Sequence, residues 1–511
     1  MEQHFDVLIV GAGLSGIGAG YHLQTACPDR SYAILERRES IGGTWDLFRY
    51  PGIRSDSDMY TLGYSFQPWT QPKAIADGPS ILKYVRETAA EYGIDKKIRY
   101  GLRVKSASWS TPDSRWTVEA EHEESGTTRR FSCNFLFMCA GYYNYDKGYT
   151  PEFEGFDRFK GPIVHPQKWG PEVDYAGKRV VVVGSGATAV TIVPEIAKDA
   201  AHVTMLQRSP TYVVSAPARS GFADRLRSWF PDKVAYSIVR WRNILLGIAL
   251  FSFCQRRPEA AKRLFLKGVE KHLGPDYDVQ THFNPRYNPW EQRMCLVPDA
   301  DLFEAIKDDS ASVVTAEIDC FTETGIKLRS GEELPADLIV TATGLDLQFL
   351  ANLDFFVDGK PIDPTQSMTY KSMMFSDMPN LASSFGYTNA SWTLKCDLTC
   401  EYVTRLLNHM KKKGYTRCVP RLTDPNMEVE SMLNLTSGYI QRTAHRFAKQ
   451  GTKAPWRLYQ NYVLDSLSIG MGGIADPALE FSGERFQPEP AFGMTPNSGS
   501  SAVSQESDAV H

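Results

Sequence analysis

The chain has 511 residues, 42% of them hydrophobic and 23% charged, which suits a large buried core and excludes a chain disordered throughout. Its 56 Lys and Arg against 60 Asp and Glu leave a net charge of −4, which argues against nucleic acid or an anionic membrane as the main partner. Nine scattered cysteines, without a CxxC pair or a Cys/His cluster at zinc spacing, argue against a disulfide framework and a structural metal, so no metal is expected.

The N-terminus runs straight into a strand, with no secretory signal pattern. The longest apolar stretch, Ile244 to Cys254, is shorter than the roughly 20 residues a spanning helix needs. A cytoplasmic protein without an integral membrane segment is therefore expected. Residues 5–36 have the pattern of a βαβ unit: the apolar run Phe5–Val10, the turn Gly11-Ala-Gly13-Leu-Ser15-Gly16, a helix to about Cys27, then a strand ending at Glu36. The first glycine makes the tight turn, the second lets backbone approach a pyrophosphate, and the third lets helix pack on strand. The helix N-terminus supplies free N–H groups for phosphate, and Glu36 is placed to accept from ribose hydroxyls.

Hairpin strands follow near Ile98–Trp109 and Arg115–Ala120, then the apolar run Phe135–Gly141. A second nucleotide unit starts at Lys178 and carries Gly184-Ser185-Gly186-Ala187-Thr188-Ala189-Val190, a helix to Lys198 and a strand at His202–Gln207. Where Glu36 ends the first unit, Gln207, Arg208 and Ser209 end the second. Arginine attracts a 2′-phosphate that an acid would repel, so this site is expected to take NADPH. A site for a flavin dinucleotide and another for NADPH suggest a hydride relay from NADPH to FAD.

From Gly221 the pattern is helical and rich in Arg, Lys and aromatics to about His272. It is expected to be a packed insertion shielding the active site, with a membrane-surface helix as the alternative. Strand patterns return at Ser312–Cys320, Ile326–Leu328 and Leu338–Gly344, and a helix is expected over Leu394–Lys413. The runs Phe135–Gly141 and Leu338–Gly344 are both expected to be strands of the first domain, with the second domain between them. The expected fold is α/β, with two Rossmann-like domains for FAD and NADP, the second inserted in the first, plus a helical insertion. The boundaries are 1–141 and 335–485 for the FAD domain, 142–170 for a linker, 171–220 and 290–334 for the NADP domain, 221–289 for the insertion and 486–511 for a loose tail.

A disulfide reductase would carry a redox cysteine pair after the first βαβ unit. Residues 39–60 contain no cysteine, and Cys396 with Cys400 lies in an expected helix where packing explains both. That leaves dioxygen as the common acceptor for the reduced flavin.

Two long motifs resemble a known family. Gly42-Gly43-Thr44-Trp45-Asp46-Leu47-Phe48-Arg49-Tyr50-Pro51-Gly52-Ile53-Arg54-Ser55-Asp56 fits the GGxWxxxxYPGxxxD pattern of type I Baeyer–Villiger monooxygenases, class B flavoproteins. Phe159, Gly161, His165 and Trp169 fit that family's FxGxxxHxxxW linker fingerprint, with Gly170 where Pro or Asp is usual. Together with the stretch at 386–395, the first motif looks most similar to the ethionamide-activating branch.

The resemblance implies FAD and NADPH as cofactors and a ketone and O₂ as small-molecule substrates. The product is an ester or lactone, formed through a C4a-peroxyflavin, with open-chain aliphatic ketones favoured and sulfoxidation as a side reaction. An N- or S-oxidising flavin monooxygenase is the alternative. By family position Arg293 is the catalytic cation, with Asp56 pairing to it; Gln292 stands where the family usually has lysine. Ser15, Glu36, Thr44, Trp45, Asp46, Leu47, Asp56 and Val104 are expected at FAD, beside Gly11, Gly13 and Gly16. Gly184 to Val190 with Arg208 and Ser209 are expected at NADP. His165 is balanced between a hinge and a structural cap. The substrate pocket is expected from the insertion, Tyr142–Tyr149 and the Tyr387–Trp392 region, and oligomeric state is left open.

Overall fold

The computed structural model describes residues 2–433 and 436–483, and the expected tail at 486–511 lies outside the described residues. The first unit forms as its sequence dictates. Val7, Leu8 and Ile9 are fully buried, so their strand (Gln3–Val10) reads as a continuous apolar run. It pairs in parallel with Tyr32–Leu35 on one side and Thr128–Met138 on the other. Leu102–Ser110 and Arg115–His122 extend this sheet as the expected hairpin. Ile98–Arg99 is separate from that hairpin and pairs with Tyr32–Leu35.

The second sheet is wholly parallel, in the order Ala311–Thr315, His202–Gln207, Arg179–Val183, Leu338–Thr341, Ile163–Val164. Two expected boundaries change here. The Leu338–Gly344 run does not return to the first domain, because Leu338 to Thr341 pair with Val180 to Val183. It is the second unit's counterpart of Phe135–Gly141, so the FAD-domain segment cannot start at 335. The first sheet resumes later, with Asp354–Val357 on Leu102–Ser110 and Leu381–Ser383 on Thr128–Met138. Nor is all of 142–170 a free-standing linker. Ile163 and Val164 pair with Ile339 and Val340, and Phe159 and Trp169 are buried in the cores on the two faces of this sheet.

The insertion is helical: Gly221–Arg227, Asp232–Arg256, Pro258–Leu273 and Val279–Phe283. Asp232–Arg256 is continuous for 25 residues and, by length and composition alone, apolar enough to cross a membrane, which the shorter apolar run in the sequence did not suggest. One face of it is packed on protein. Arg240, 5% exposed, donates to the Tyr60 and Gly63 carbonyl oxygens at 2.8 and 2.7 Å and to Asp397 at 3.4 Å. The expected late helix runs from Trp392 to Lys413 and packs on Leu14–Ala26.

Candidate active site

One cavity of about 610 Å³ is bordered by both glycine turns. The two turns are built alike. Gly11 (φ +105°) lies against the Cys139 carbonyl, where a Cβ would come within 2.5 Å of the oxygen. Gly184 (φ +135°) lies against the Ala342 carbonyl, where a Cβ would come within 2.3 Å. A Cβ on Gly16 would sit 1.9 Å from the Gly11 carbonyl oxygen, so only glycine lets that helix approach its strand. Beside Gly186, in contrast, the space is open. Tight backbone packing behind each turn and room in front of it is the cradle a dinucleotide pyrophosphate needs.

Glu36 is 5% exposed at the first cradle and accepts from the backbone N–H groups of Ala12 (2.7 Å) and Arg38 (2.9 Å). Burial raises its carboxyl pKa, and the two N–H donors oppose that rise. Gly11, Gly13, Ser15, Glu36, Thr44, Trp45, Asp56 and Val104 border the cavity together. Asp46 and Leu47 do not. The Asp46 side chain is buried and bound by Arg38 at 2.6 Å, Arg86 at 3.3 Å and Arg49 at 3.4 Å, so it holds the loop rather than facing the cavity. Ser15 Oγ accepts from Trp392 Nε1 at 3.0 Å and meets Cys396 Sγ at 3.2 Å. Burial pushes that thiol up to about 12 and holds Cys400 well above its ordinary value, which fits packing rather than redox work.

At the second turn Gly184, Ser185, Gly186, Ala187 and Thr188 line the cavity, with Arg208 and Ser209; Ala189 and Val190 turn into the core. Arg208 is exposed, and no carboxylate lies within 4.0 Å of it among the described residues. Arg442, which the sequence did not single out, lines the same cavity and stacks 3.5 Å over the Tyr149 ring. Burial first, and Arg208 among nearby charges, lowers the Arg442 pKa. Two guanidiniums thus make one end of the cavity strongly positive.

Arg293 lies just before the strand Cys295–Pro298 and pairs with Asp56, Nε to Oδ2 at 3.1 Å. Asp56 ends the first long motif, so the pair closes the cavity between the two units. The Asp56 carboxylate raises the Arg293 pKa above its ordinary value and outweighs the cost of burial. Tyr142, Tyr143 and Tyr439 surround this cation, with the Tyr142 and Tyr143 hydroxyls 3.2 Å apart. Burial pushes the Tyr143 phenol up to about 12, so it stays a neutral hydroxyl. Tyr142 also stacks on Trp392, with ring centroids 5.0 Å apart. The aromatic wall of the cavity at this point comes from Tyr142, Tyr143, Tyr145, Trp392 and Tyr439. Of the expected insertion only Tyr287 reaches the cavity.

His165 caps backbone. Its Nδ1 accepts from Gln167 N–H at 3.2 Å, which leaves Nε2 to donate to the Gly344 carbonyl at 3.1 Å. Burial lowers its pKa, consistent with a neutral ring that ties the fingerprint segment to the end of Leu338–Thr341.

The flavin-binding monooxygenase-like family matches residues 5–238. The FAD-containing monooxygenase EthA of Mycobacterium tuberculosis is 54% identical over 483 residues, covering 94% of this chain and 98% of that protein. A putative FAD-containing monooxygenase, MymA, of the same species is 50% identical over 487 residues, covering 94% and 98%. Among solved structures, a steroid monooxygenase bound to NADP aligns with a TM-score of 0.71 at 22% identity, covering 94% of this chain and 99% of that one. A closed cyclohexanone monooxygenase aligns with a TM-score of 0.73 at 18% identity, covering 95% and 100%.

Proposed function

The chain belongs to the family of FAD-containing, flavin-binding monooxygenases, and from that premise we propose that it is a Baeyer–Villiger enzyme. It is an NADPH-dependent oxidoreductase that converts an open-chain aliphatic ketone, O₂, NADPH and a proton to an ester, NADP⁺ and water. The first cradle takes FAD and the second takes NADPH. The observation that carries this reading is the Arg293–Asp56 pair, set in a tyrosine-walled cavity between both cradles.

Bound FAD supplies the hydride acceptor and the activation of dioxygen. The chain supplies the electrostatics. Arg293 stays protonated and offers directed N–H donors to negative charge growing on the ketone oxygen. Asp56 fixes the orientation of that guanidinium. Tyr142, Tyr143 and Trp392 form an aromatic wall that seats an alkyl chain and excludes water from it. Asp56 and Arg293 come from opposite units, so the site is assembled only where the two units meet.

The test is NADPH consumption under air with and without 2-decanone, with mass-spectrometric detection of ester. One ester per NADPH supports the proposal. NADPH oxidation that gives only hydrogen peroxide with ketones, but sulfoxide with an organic sulfide, replaces it with a sulfur-oxidising activity.

Coenzyme choice is a separate expectation. Removing a hydrogen-bonded charge contact costs about 1.5–3 kcal/mol, so Arg208→Ala should raise the KM for NADPH roughly tenfold or more. NADH, which lacks the 2′-phosphate, should be little affected. Equal losses for both coenzymes in steady-state assays would remove Arg208 from the phosphate site.

A further inference from the structure

We propose that the helical insertion seats the protein on an anionic lipid surface. Six large apolar side chains of Asp232–Arg256 are exposed, and four of them share one face while Leu246 and Leu250 lie off it. Val234, Ile238, Trp241 and Leu245 recur at helical spacing on one stripe, and each is more than a third exposed. Trp229 at 70% exposure and Phe222 and Phe230 at just over 40% continue the patch from the preceding helix and turn. Leu264, 57% exposed, is a further exposed apolar side chain of the insertion, on Pro258–Leu273. Large aromatics are rarely left in water in such a group without a partner.

The charge around the patch selects the partner. Residues 221–273 carry eleven Lys and Arg against four Asp and Glu, in a chain whose net charge is −4. Exposed Arg225, Lys233, Arg242, Arg256, Arg263 and Lys267 have no carboxylate within 4.0 Å among the described residues. Arg242 instead lies 4.7 Å over the Phe222 ring, a cation directly against the apolar patch. Exposed tryptophans set among unpaired basic side chains match the headgroup boundary of an anionic leaflet, where indoles sit at the interface and each Lys or Arg adds about 1 kcal/mol, or about fivefold.

The helix lies along the surface and does not cross it, because its opposite face is fixed to the protein by buried Arg240. The helix is joined to the active site through an intervening layer of side chains. Ile244 packs with Tyr387 and Leu394, and Phe251 lies 5.7 Å from Trp290, three residues before Arg293. An apolar substrate partitioned into the bilayer would thus meet the enzyme on the side where its cavity is assembled.

The experiment is flotation of the full-length, FAD-loaded protein with vesicles of phosphatidylcholine alone and of equimolar phosphatidylcholine and phosphatidylglycerol. Binding to the anionic vesicles, falling at least tenfold for the zwitterionic ones, is expected. Trp229→Ser combined with Trp241→Ser should cut anionic binding by about tenfold or more, and Arg225→Glu with Lys233→Glu by a similar factor. These positions are exposed, so unchanged FAD content and circular dichroism will show that the variants fold. Absence of binding, or equal binding by the variants, overturns the proposal. So does a dimer in velocity sedimentation that Trp229→Ser and Trp241→Ser dissolve, since a second copy would then cover the patch.

Discussion

Arg293→Ala is expected to lower ester formation by about 10²–10³-fold while leaving FAD bound and still reducible by NADPH. The two halves of that result have separate structural reasons. Reduction needs the dinucleotide cradles, which Gly11 to Gly16 and Gly184 to Thr188 form without help from Arg293. Oxygen transfer needs a fixed cation where charge develops on the substrate. In the proposed reaction Arg293, held by Asp56 at 3.1 Å among three tyrosines, supplies that cation. Of the five other cavity-lining guanidiniums, Arg37 and Arg103 are paired with Asp146 and Arg54 with Asp301, while Arg208 stands at the second glycine turn with Arg442 near it. Arg293→Lys should recover part of the rate, because it keeps the charge and loses the forked donor geometry. The measurement is anaerobic stopped-flow reduction beside aerobic ester yield. Normal ester yield in Arg293→Ala would remove the residue from its role, whereas loss of reduction as well would show that it acts at the coenzyme.

How far this site was legible in the sequence depends on whether a residue's signal is local. Gly11, Gly16, Glu36, Gly184 and Arg208 stand at fixed offsets within βαβ units, so strand–turn–helix patterning locates them at the two glycine turns. Arg293 and Asp56 are 237 positions apart, and only the family resemblance links them in the sequence; the fold then brings them to 3.1 Å. Arg442 and Tyr439 sit on the short helix Gly438–Thr443, in no motif, and reach the cavity only through tertiary packing. The Leu338–Gly344 strand lies in the second sheet rather than in the expected first for a related reason. Its apolar run ends in glycine as Phe135–Gly141 does, and such a run says that a strand is buried without saying beside which partner. Net charge misleads in the same way: an average of −4 conceals the basic insertion.

The second large effect concerns stability and lies beside the cavity rather than in it. Lys395 Nζ and Asp465 Oδ2 are 3.1 Å apart, with side chains only 1% and 3% exposed, and Tyr387 Oη donates to the same carboxylate oxygen at 2.7 Å. Asp465→Asn keeps the volume and an acceptor for Tyr387 but strands the Lys395 ammonium in a dry site. Removing one partner of such a pair costs about 3–5 kcal/mol, a loss that thermal or urea melts will register.

The pH dependence identifies the cause. Burial already lowers the Lys395 pKa below 10.5, and loss of Asp465 must lower it further. Between the folded value and 10.5 the unfolded chain holds a proton that the native chain has lost, so native stability rises with pH across that window. The window opens at lower pH in the variant. Its deficit relative to the wild type should therefore narrow as pH is raised from 7 toward 10. In the native chain Cys396, held near 12, and Tyr387, raised by burial and by Asp465, do not titrate in that range, and the unfolded-state titration of both is common to the two proteins and cancels in the difference. Adding Lys395→Met to Asp465→Asn should remove both the pH dependence and most of the loss, since no charge is then left buried. A deficit independent of pH would instead place the damage in packing around Tyr387.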